Sequence, residues 1–113
     1  MKTIIAGGRN YYLTDKEYSK LDDLRDQISQ VVSGAATGVD SCGEMWGRKN
    51  NIPIKMFQSD WKTHGKQAGY LRNKQMIEYS DACILFNGGV GTQMIFELAS
   101  KYGLKIYDYR TES

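Results

Sequence analysis

The feature of this sequence that most restricts its fold is a set of short apolar segments, each of which breaks directly into a glycine-rich turn. Residues 3–6 and 82–86 are such segments, and residues 28–33, which mix apolar and polar residues, form a third that also ends in a glycine turn. Their length and their β-branched residues predict buried strands, and the glycines mark the point where each strand ends. Glycine stands out by its placement, because the chain has 12 glycines and a single proline.

Segments with helical patterns separate these strands. Thr14-Asp15-Lys16-Glu17 has the spacing of a capping box and predicts a helix that runs to about residue 27. Three more helices are predicted: one from the glycine turn of residues 34–40 to about residue 50, one over residues 66–79 and one that ends before Gly103. Two more strands are predicted at residues 54–57 and 105–107. Strands that alternate with helices predict an α/β fold, a Rossmann-like parallel sheet of about five strands with helices on both faces.

Length and composition exclude several classes of protein. The chain has 113 residues, 41% hydrophobic and 25% charged, which predicts a single globular domain over residues 1–113. The net charge of +2 disfavours broad nucleic-acid binding. No apolar run approaches the ~20 residues that span a bilayer, and the apolar start is too short for a signal peptide, so we predict a cytoplasmic protein. Cys42 and Cys83 are interpreted as reduced packing residues, and neither a cofactor nor a metal site is predicted.

The turns that follow the predicted strands are the expected ligand site. In a parallel sheet they gather at the carboxyl edge, where ligands bind near the topological switch point. Residues 7–9, 33–40, 61–64 and 87–92 would meet there. Glycine lets backbone N–H groups approach an anion closely, and a helix N-terminus adds about half a positive charge. The sequence therefore predicts a site for phosphate or a related anion.

Several side chains in these turns allow two interpretations. Asp40 either caps the following helix, as the spacing of Thr37 and Asp40 indicates, or serves as a ribose ligand or acid/base. Arg9 and Arg72 are surface charges or bidentate phosphate ligands, and the second interpretation is favoured. Trp61 is either a core residue or a platform for a base. His64, the sole histidine, has no partner pattern for a metal and is a loop hydrogen-bonder or a catalyst.

Three segments together resemble a known family. Residues 60–76 contain the pattern W-x-x-H-G-x-x-A-G-x-x-R-N, and the glycine turns of residues 33–40 and 88–92 flank it. This combination resembles the YspA-like branch of the SLOG superfamily over nearly the whole chain. The resemblance implies a Rossmann-like fold related to DprA and to the LOG phosphoribohydrolases, a nucleotide or ADP-ribose-derived ligand, and a homo-oligomer.

The resemblance to the LOG enzymes is weaker at their catalytic positions. Those enzymes carry a proline before the second glycine turn and a glutamate three residues after its threonine, where this chain has Asn87 and Ile95. The catalytic residues are therefore unassigned, with Asp40 and Glu97 as candidates for the carboxylate that glycosidic cleavage needs. Glu97 lies four residues before Lys101, which also fits an ordinary ion pair on a helix surface.

Three functions follow, in order of preference. The first is binding of a nucleotide or ADP-ribose-derived ligand by a sensor or sequestering protein. The second is hydrolysis of a nucleotide at its N-glycosidic or phosphoester bond. The third is single-stranded nucleic-acid binding, which aromatic side chains favour and the low net charge disfavours. The predicted ligand-binding residues are Gly7, Gly8, Arg9, Ser33, Gly34, Ala35, Thr37, Gly38, Asp40, Trp61, His64, Arg72, Asn73, Asn87, Gly88, Gly89, Gly91 and Thr92.

Overall fold

A computed structural model describes residues 1–111 of the chain. Its strands are β1 (Lys2–Ala6), β2 (Gln30–Ser33), β3 (Ile54–Met56), β4 (Ala82–Leu85) and β5 (Lys105–Asp108). Its helices are α1 (Asp15–Leu24), α2 (Val39–Lys49), α3 (Trp61–His64), α4 (Ala68–Tyr79) and α5 (Val90–Tyr102). The five strands form one sheet in the order β3-β2-β1-β4-β5, and every neighbouring pair is parallel. The predicted fold class is confirmed.

Successive residues of the central strands point into two separate hydrophobic layers. Ile5 packs in one layer with Leu21 of α1, and Ile4 packs in the other with Ile77 of α4 and Leu98 of α5. This alternation is the two-residue period of a strand, and it buries the central strands on both faces. Helices therefore cover both sides of the sheet.

Some boundaries differ from the prediction. The segment around Trp61, predicted as a polar loop, forms the one-turn helix α3, because Asp60 Oδ1 accepts the Thr63 N–H at 3.1 Å and caps it. The second strand begins at Gln30, two residues later than predicted, and α1 passes into the 3₁₀ turn Arg25–Gln27 before it. The capping box at Thr14 is present, with its N–H donating to Glu17 Oε1 at 2.9 Å.

The centre of the sheet contains the switch point. The chain leaves β1 and β4 towards opposite faces, into α1 and α5 respectively. The two turns are joined where Gly8 N–H donates to the Asn87 carbonyl oxygen at 2.8 Å. A crevice between two such turns is where parallel α/β sheets bind ligands.

The structure also bears on the two cysteines and on the length of the helices. Cys42 and Cys83 are both buried and carry free thiols. No helix within residues 1–111 has the length and apolar character to cross a bilayer.

Candidate functional site

A cleft of about 330 Å³ opens at the carboxyl edge of the sheet, between the turns that follow β1 and β4. Its lining combines the β1 turn, helix α4, the start of α2 and the start of α5. These residues are Ala6, Gly7, Gly8, Arg9, Ala36, Asp40, Arg72, Asn73, Met76, Gly89, Val90, Gly91, Thr92 and Ile95. The cleft therefore has an apolar floor at Met76 and Ile95 and polar walls.

A second hollow of about 390 Å³ continues from the cleft and shares Arg9, Ala36 and Arg72 with it. We call it the outer hollow. Its other lining residues are Gly34, Ala35, Thr37, Gln58, Ser59 and Trp61. Residues of all four predicted turns thus border one continuous depression, and the two arginines lie where its halves meet.

Arg72 is held by two hydrogen bonds that fix its guanidinium. Its Nη1 donates to the Gly34 carbonyl oxygen, and its Nε donates to Asn73 Oδ1 at 2.8 Å. Asn73 is itself 5% exposed, and its Nδ2 donates to Met94 Sδ at 3.3 Å. Burial lowers the pKa of Arg72, the charge of Asp40 raises it, and Arg9 lowers it. The guanidinium still carries its charge, since arginine does not deprotonate in proteins.

Asp40 lies at the first turn of α2 and is 7% exposed. Its Oδ2 accepts the Ala36 N–H at 3.3 Å. Burial raises the pKa of Asp40 to about 6, although the backbone donors of Ala36 and Gly34 and the charge of Arg72 lower it and Glu44 raises it further. Asp40 is the only carboxylate that lines the cleft or the outer hollow in residues 1–111. A buried carboxyl poised near pH 6 is suited to proton exchange.

The capping box predicted from Thr37 and Asp40 does not form. Gly38 is the N-cap of α2, and Thr37 Oγ1 donates instead to the Arg9 carbonyl oxygen at 3.0 Å. Gly38 has φ of 70°, and a Cβ there would collide with the Gly8 carbonyl oxygen. Glycine is therefore required for the close approach of the β1 turn and the start of α2.

A buried carboxylate supports the β2–α2 loop, residues 34–38, from behind. Glu44 of α2 accepts the Ser33 hydroxyl at 2.6 Å, and the same hydroxyl oxygen accepts the Ala35 N–H at 3.1 Å. Ala35 has φ of 61°, a conformation that needs such support in a residue with a side chain. Ser33, predicted to bind ligand, is 1% exposed and holds the loop instead of lining the cleft.

The N-terminus of α5 presents free amides to the cleft. The first intrahelical bond of α5 runs from Gln93 N–H to the Gly89 carbonyl oxygen at 3.1 Å, so the amides of residues 90–92 have no acceptor within the helix. No side chain caps this end. Gly89 and Gly91 have open space where a Cβ would lie, whereas a Cβ on Gly88 would strike Thr92 Oγ1.

Other predicted site residues lie outside the cleft. His64 is exposed on α3 and borders neither depression. Asn87 turns its side chain to the C-terminal segment, where its Oδ1 accepts the Thr111 N–H at 2.6 Å and its Nδ2 donates to Thr111 Oγ1 at 2.9 Å. Gly38 and Gly88 shape turns behind the lining.

The second catalytic candidate, Glu97, is also outside. It is exposed and borders a separate surface groove with Gln93 and Arg110. Within residues 1–111 it forms no ion pair with Lys101, whose Nζ lies 5.9 Å from the centre of the Tyr102 ring. The position of Glu97 therefore supports neither an acid/base role in this cleft nor the expected ion pair with Lys101.

Several residues in and behind the site were not among the predicted ligand residues, including Ala6 and Val90 in the cleft and Gln58 and Ser59 in the outer hollow. Met76 and Ile95 follow Arg72 and Gly91 by four residues, so helical spacing places them on the same faces as the predicted ligands. Ala36 lies inside a predicted turn but carries no functional group. Glu44 follows Asp40 by four residues, and that inward-facing spacing was the available signal.

These features define a class of protein, namely a Rossmann-like α/β domain with a cleft at its switch point that two arginines line. The chain belongs to the YspA, cpYpsA-related SLOG family, whose model matches residues 1–64. The predicted resemblance to the YspA-like branch of SLOG is confirmed.

Two known proteins are similar to this chain, one in sequence and one in structure. Gene 61 protein of Mycobacterium phage D29 is 34% identical, and the match covers 78% of this chain and 82% of that protein. The crystal structure of DNA processing protein A (DprA) from Streptococcus pneumoniae matches with a TM-score of 0.75 and 15% identity. That match covers 95% of this chain and 49% of the DprA chain. The likeness to DprA shows a shared fold, and this chain spans about half of the DprA chain.

Proposed function

We propose that this protein binds a nucleotide or an ADP-ribose-derived molecule in the cleft and outer hollow, as a sensor or sequestering protein. The observation that carries the proposal is the convergence of Arg9, Arg72 and the uncapped N-terminus of α5 on one cleft. Two guanidinium groups and free amides are the groups by which proteins hold phosphates.

The charge arrangement favours an anion over a neutral ligand. Arg72 is half-buried, so its attraction for a phosphate is screened less than that of a surface arginine. Arg9 is exposed and borders both the cleft and the outer hollow, so its guanidinium is available to a phosphate at their junction. Phosphates are therefore expected at this junction, with α5 on one side and Arg72 on the other.

The outer hollow is suited to a base. Trp61 is 56% exposed and borders this hollow beside the polar Gln58 and Ser59. An exposed indole stacks on a nucleobase with a contribution of about 1–3 kcal/mol. The base would then stack on Trp61. A ribose on the other side of the phosphates, as in ADP-ribose, would lie in the cleft against Asp40 and Asn73.

A ligand panel tests the proposal. Purified protein is incubated with mononucleotides, ADP-ribose isomers and cyclic dinucleotides, its thermal shift is recorded, and the ligand released by denaturation is identified by chromatography. We expect a shift of several degrees with the ligand recovered intact. The shift should shrink in Arg72→Met and persist in Arg25→Ala, since Arg25 is exposed and lines neither depression. If no member of the panel shifts the melting temperature, the proposal is wrong.

Hydrolysis of the nucleotide is the second candidate function, and the position of Asp40 favours it. A buried carboxyl with a pKa of about 6 inside the cleft has the properties of a general acid or base. Recovery of a cleaved product in the panel would support hydrolysis. In that case Asp40→Asn should retain binding and lower turnover by orders of magnitude, while Glu97→Gln should leave turnover unchanged.

A further inference from the structure

Asp40 and Arg72 both lie close to Gly34 but do not form an ion pair with each other. A Cβ on Gly34 would lie 2.8 Å from Arg72 Nη1 and 2.9 Å from Asp40 Oδ2. The ion pairs found in residues 1–111 are Glu44 with Arg48 and Asp108 with Arg110. The guanidinium of Arg72 donates to Gly34 and Asn73 instead, so the Asp40 carboxylate is near a cation but not neutralised by it.

The charged groups around Asp40 come from three elements. Arg72 faces it from α4, Glu44 lies one turn further along its own helix α2, and Arg9 shares the cleft from the turn after β1. From α5 only uncharged residues line the cleft. With Asp40 ionised, an incoming phosphate meets two arginines together with a negative charge that is already buried.

We propose that Asp40 takes up one proton from solvent when an anionic ligand occupies the cleft, so that the site binds the anion and the proton together. Two negative charges at close range in a poorly solvated site repel strongly, and protonation of the carboxyl removes that repulsion. The protonated carboxyl also gains an O–H that can donate to a ligand oxygen. The inference rests on the proposed function only in requiring that the ligand be anionic.

This coupling sets how affinity depends on pH. The free carboxyl has a raised pKa of about 6, so it is mostly ionised at neutral pH but is protonated with little cost. A bound anion raises that pKa further. Affinity is then greatest below pH 6 and falls as pH rises, by at most about tenfold per pH unit, until Asp40 is ionised in the complex as well.

The test follows the carboxyl of Asp40 directly. The ¹³C shift of its side-chain carboxyl is titrated with pH in free protein, with ADP-ribose and with sulfate, two anions whose charge is constant over about pH 5.5 to 8. We expect either anion to raise the midpoint by one pH unit or more. Calorimetry of ADP-ribose binding in buffers of different ionisation enthalpy, at a pH midway between the free and bound midpoints, should show uptake of about half a proton or more in wild type and none in Asp40→Asn. Glu78→Gln, an exposed carboxylate of α4, should behave as wild type.

The outcomes separate the two proposals. If amide shifts show that ADP-ribose or sulfate binds while the Asp40 midpoint stays unchanged, the proton coupling is wrong and the binding function stands. If sulfate raises the midpoint and ADP-ribose does not bind, the coupling stands and ADP-ribose itself is excluded as the ligand. If neither anion binds, the coupling is overturned, whereas the binding function is overturned only if the ligand panel described above also gives no shift.

Discussion

Arg72 of α4 donates a hydrogen bond from Nη1 to the carbonyl oxygen of Gly34, 38 residues earlier in the chain. Gly34 directly follows β2, so this bond ties the β2–α2 loop to the helix on the opposite wall of the depression. The same guanidinium borders both the cleft and the outer hollow. One side chain therefore both shapes the site and offers it a positive charge.

Replacement of Arg72 by lysine should separate charge from geometry. A lysine keeps the positive charge but lacks the planar fork that reaches Gly34 and Asn73 together. We expect the affinity for ADP-ribose to fall by about 10- to 100-fold, which corresponds to the about 1.5–3 kcal/mol of a hydrogen bond to a charged group. Calorimetry measures the affinity, and the exposed Arg25→Lys is the matched control. Unchanged affinity in Arg72→Lys would show that the fork has no role in binding.

Replacement of Asp40 by asparagine should stabilise the protein at neutral pH. The folded pKa of about 6 lies above the ordinary value of 3.8, so the folded state favours the protonated carboxyl. Its stabilising contribution is complete below about pH 4 and is lost as pH rises through 6. Asparagine never ionises and so avoids this loss. The change in unfolding free energy that Asp40→Asn causes should therefore be more stabilising at pH 7.5 than at pH 4, by about 1–3 kcal/mol.

Urea unfolding at the two pH values measures this difference. Asp26→Asn, at an exposed position, is the control and should show no such change with pH. Equal effects of Asp40→Asn at the two pH values would contradict the raised pKa, and a larger destabilisation at pH 7.5 than at pH 4 would mean that the carboxylate contributes to the fold as an anion.

Two glycines with positive φ should respond differently to alanine. Gly38 has φ of 70° and no room for a Cβ, whereas Gly65 has φ of 55° and nothing within 4 Å of that position. Gly65→Ala should cost about 1–2 kcal/mol of unfolding free energy from the left-handed backbone alone. Gly38→Ala adds the collision with the Gly8 carbonyl and should cost more than about 3 kcal/mol. Equal losses of unfolding free energy in the two variants would contradict the close contact between Gly38 and the Gly8 carbonyl oxygen.

Fluorescence separates the two tryptophans. Trp46 is 4% exposed and donates from Nε1 to Asp22 Oδ1 at 2.9 Å, whereas Trp61 is 56% exposed at the outer hollow. An adenine base stacked on Trp61 should quench its emission, so addition of ADP-ribose should lower the fluorescence of wild type. Trp61→Phe should lose this quenching and keep its melting temperature within about a degree. Quenching that persists in Trp61→Phe would place the base elsewhere.

The sequence predicted those parts of the fold that local patterns determine. The apolar runs around Ile4 and Ile84 define the central strands because each is short, β-branched and followed by glycine. Helix α3 was missed because its four residues have no apolar period. A contact within the segment, Asp60 accepting from Thr63, stabilises it as a turn of helix. One-turn elements of this kind depend on a single cap and leave little trace in hydrophobic periodicity.

The site residues that directly follow a strand could be predicted from the sequence. Arg9 and Gly89 follow strand ends, so the parallel topology alone places them at one edge. The partners of buried polar groups could not be predicted, because they depend on contacts distant in sequence. Asn87 pairs with Thr111, 24 residues away, and Ser33 with Glu44, 11 residues away. Both Asn87 and Ser33 were predicted as ligand residues and instead hold the surrounding chain.

The measurement that tests the central claim most directly is a map of backbone amide shifts in ¹⁵N-labelled protein titrated with ADP-ribose. We expect the largest shifts at Gly8, Arg9 and Ala36 and in residues 89–92, which line the cleft, with little change at the exposed end of α1. The same titration of Arg72→Lys should need about 10- to 100-fold more ligand. Shifts confined to other surfaces, or no shifts at millimolar ligand, would contradict binding at the switch point.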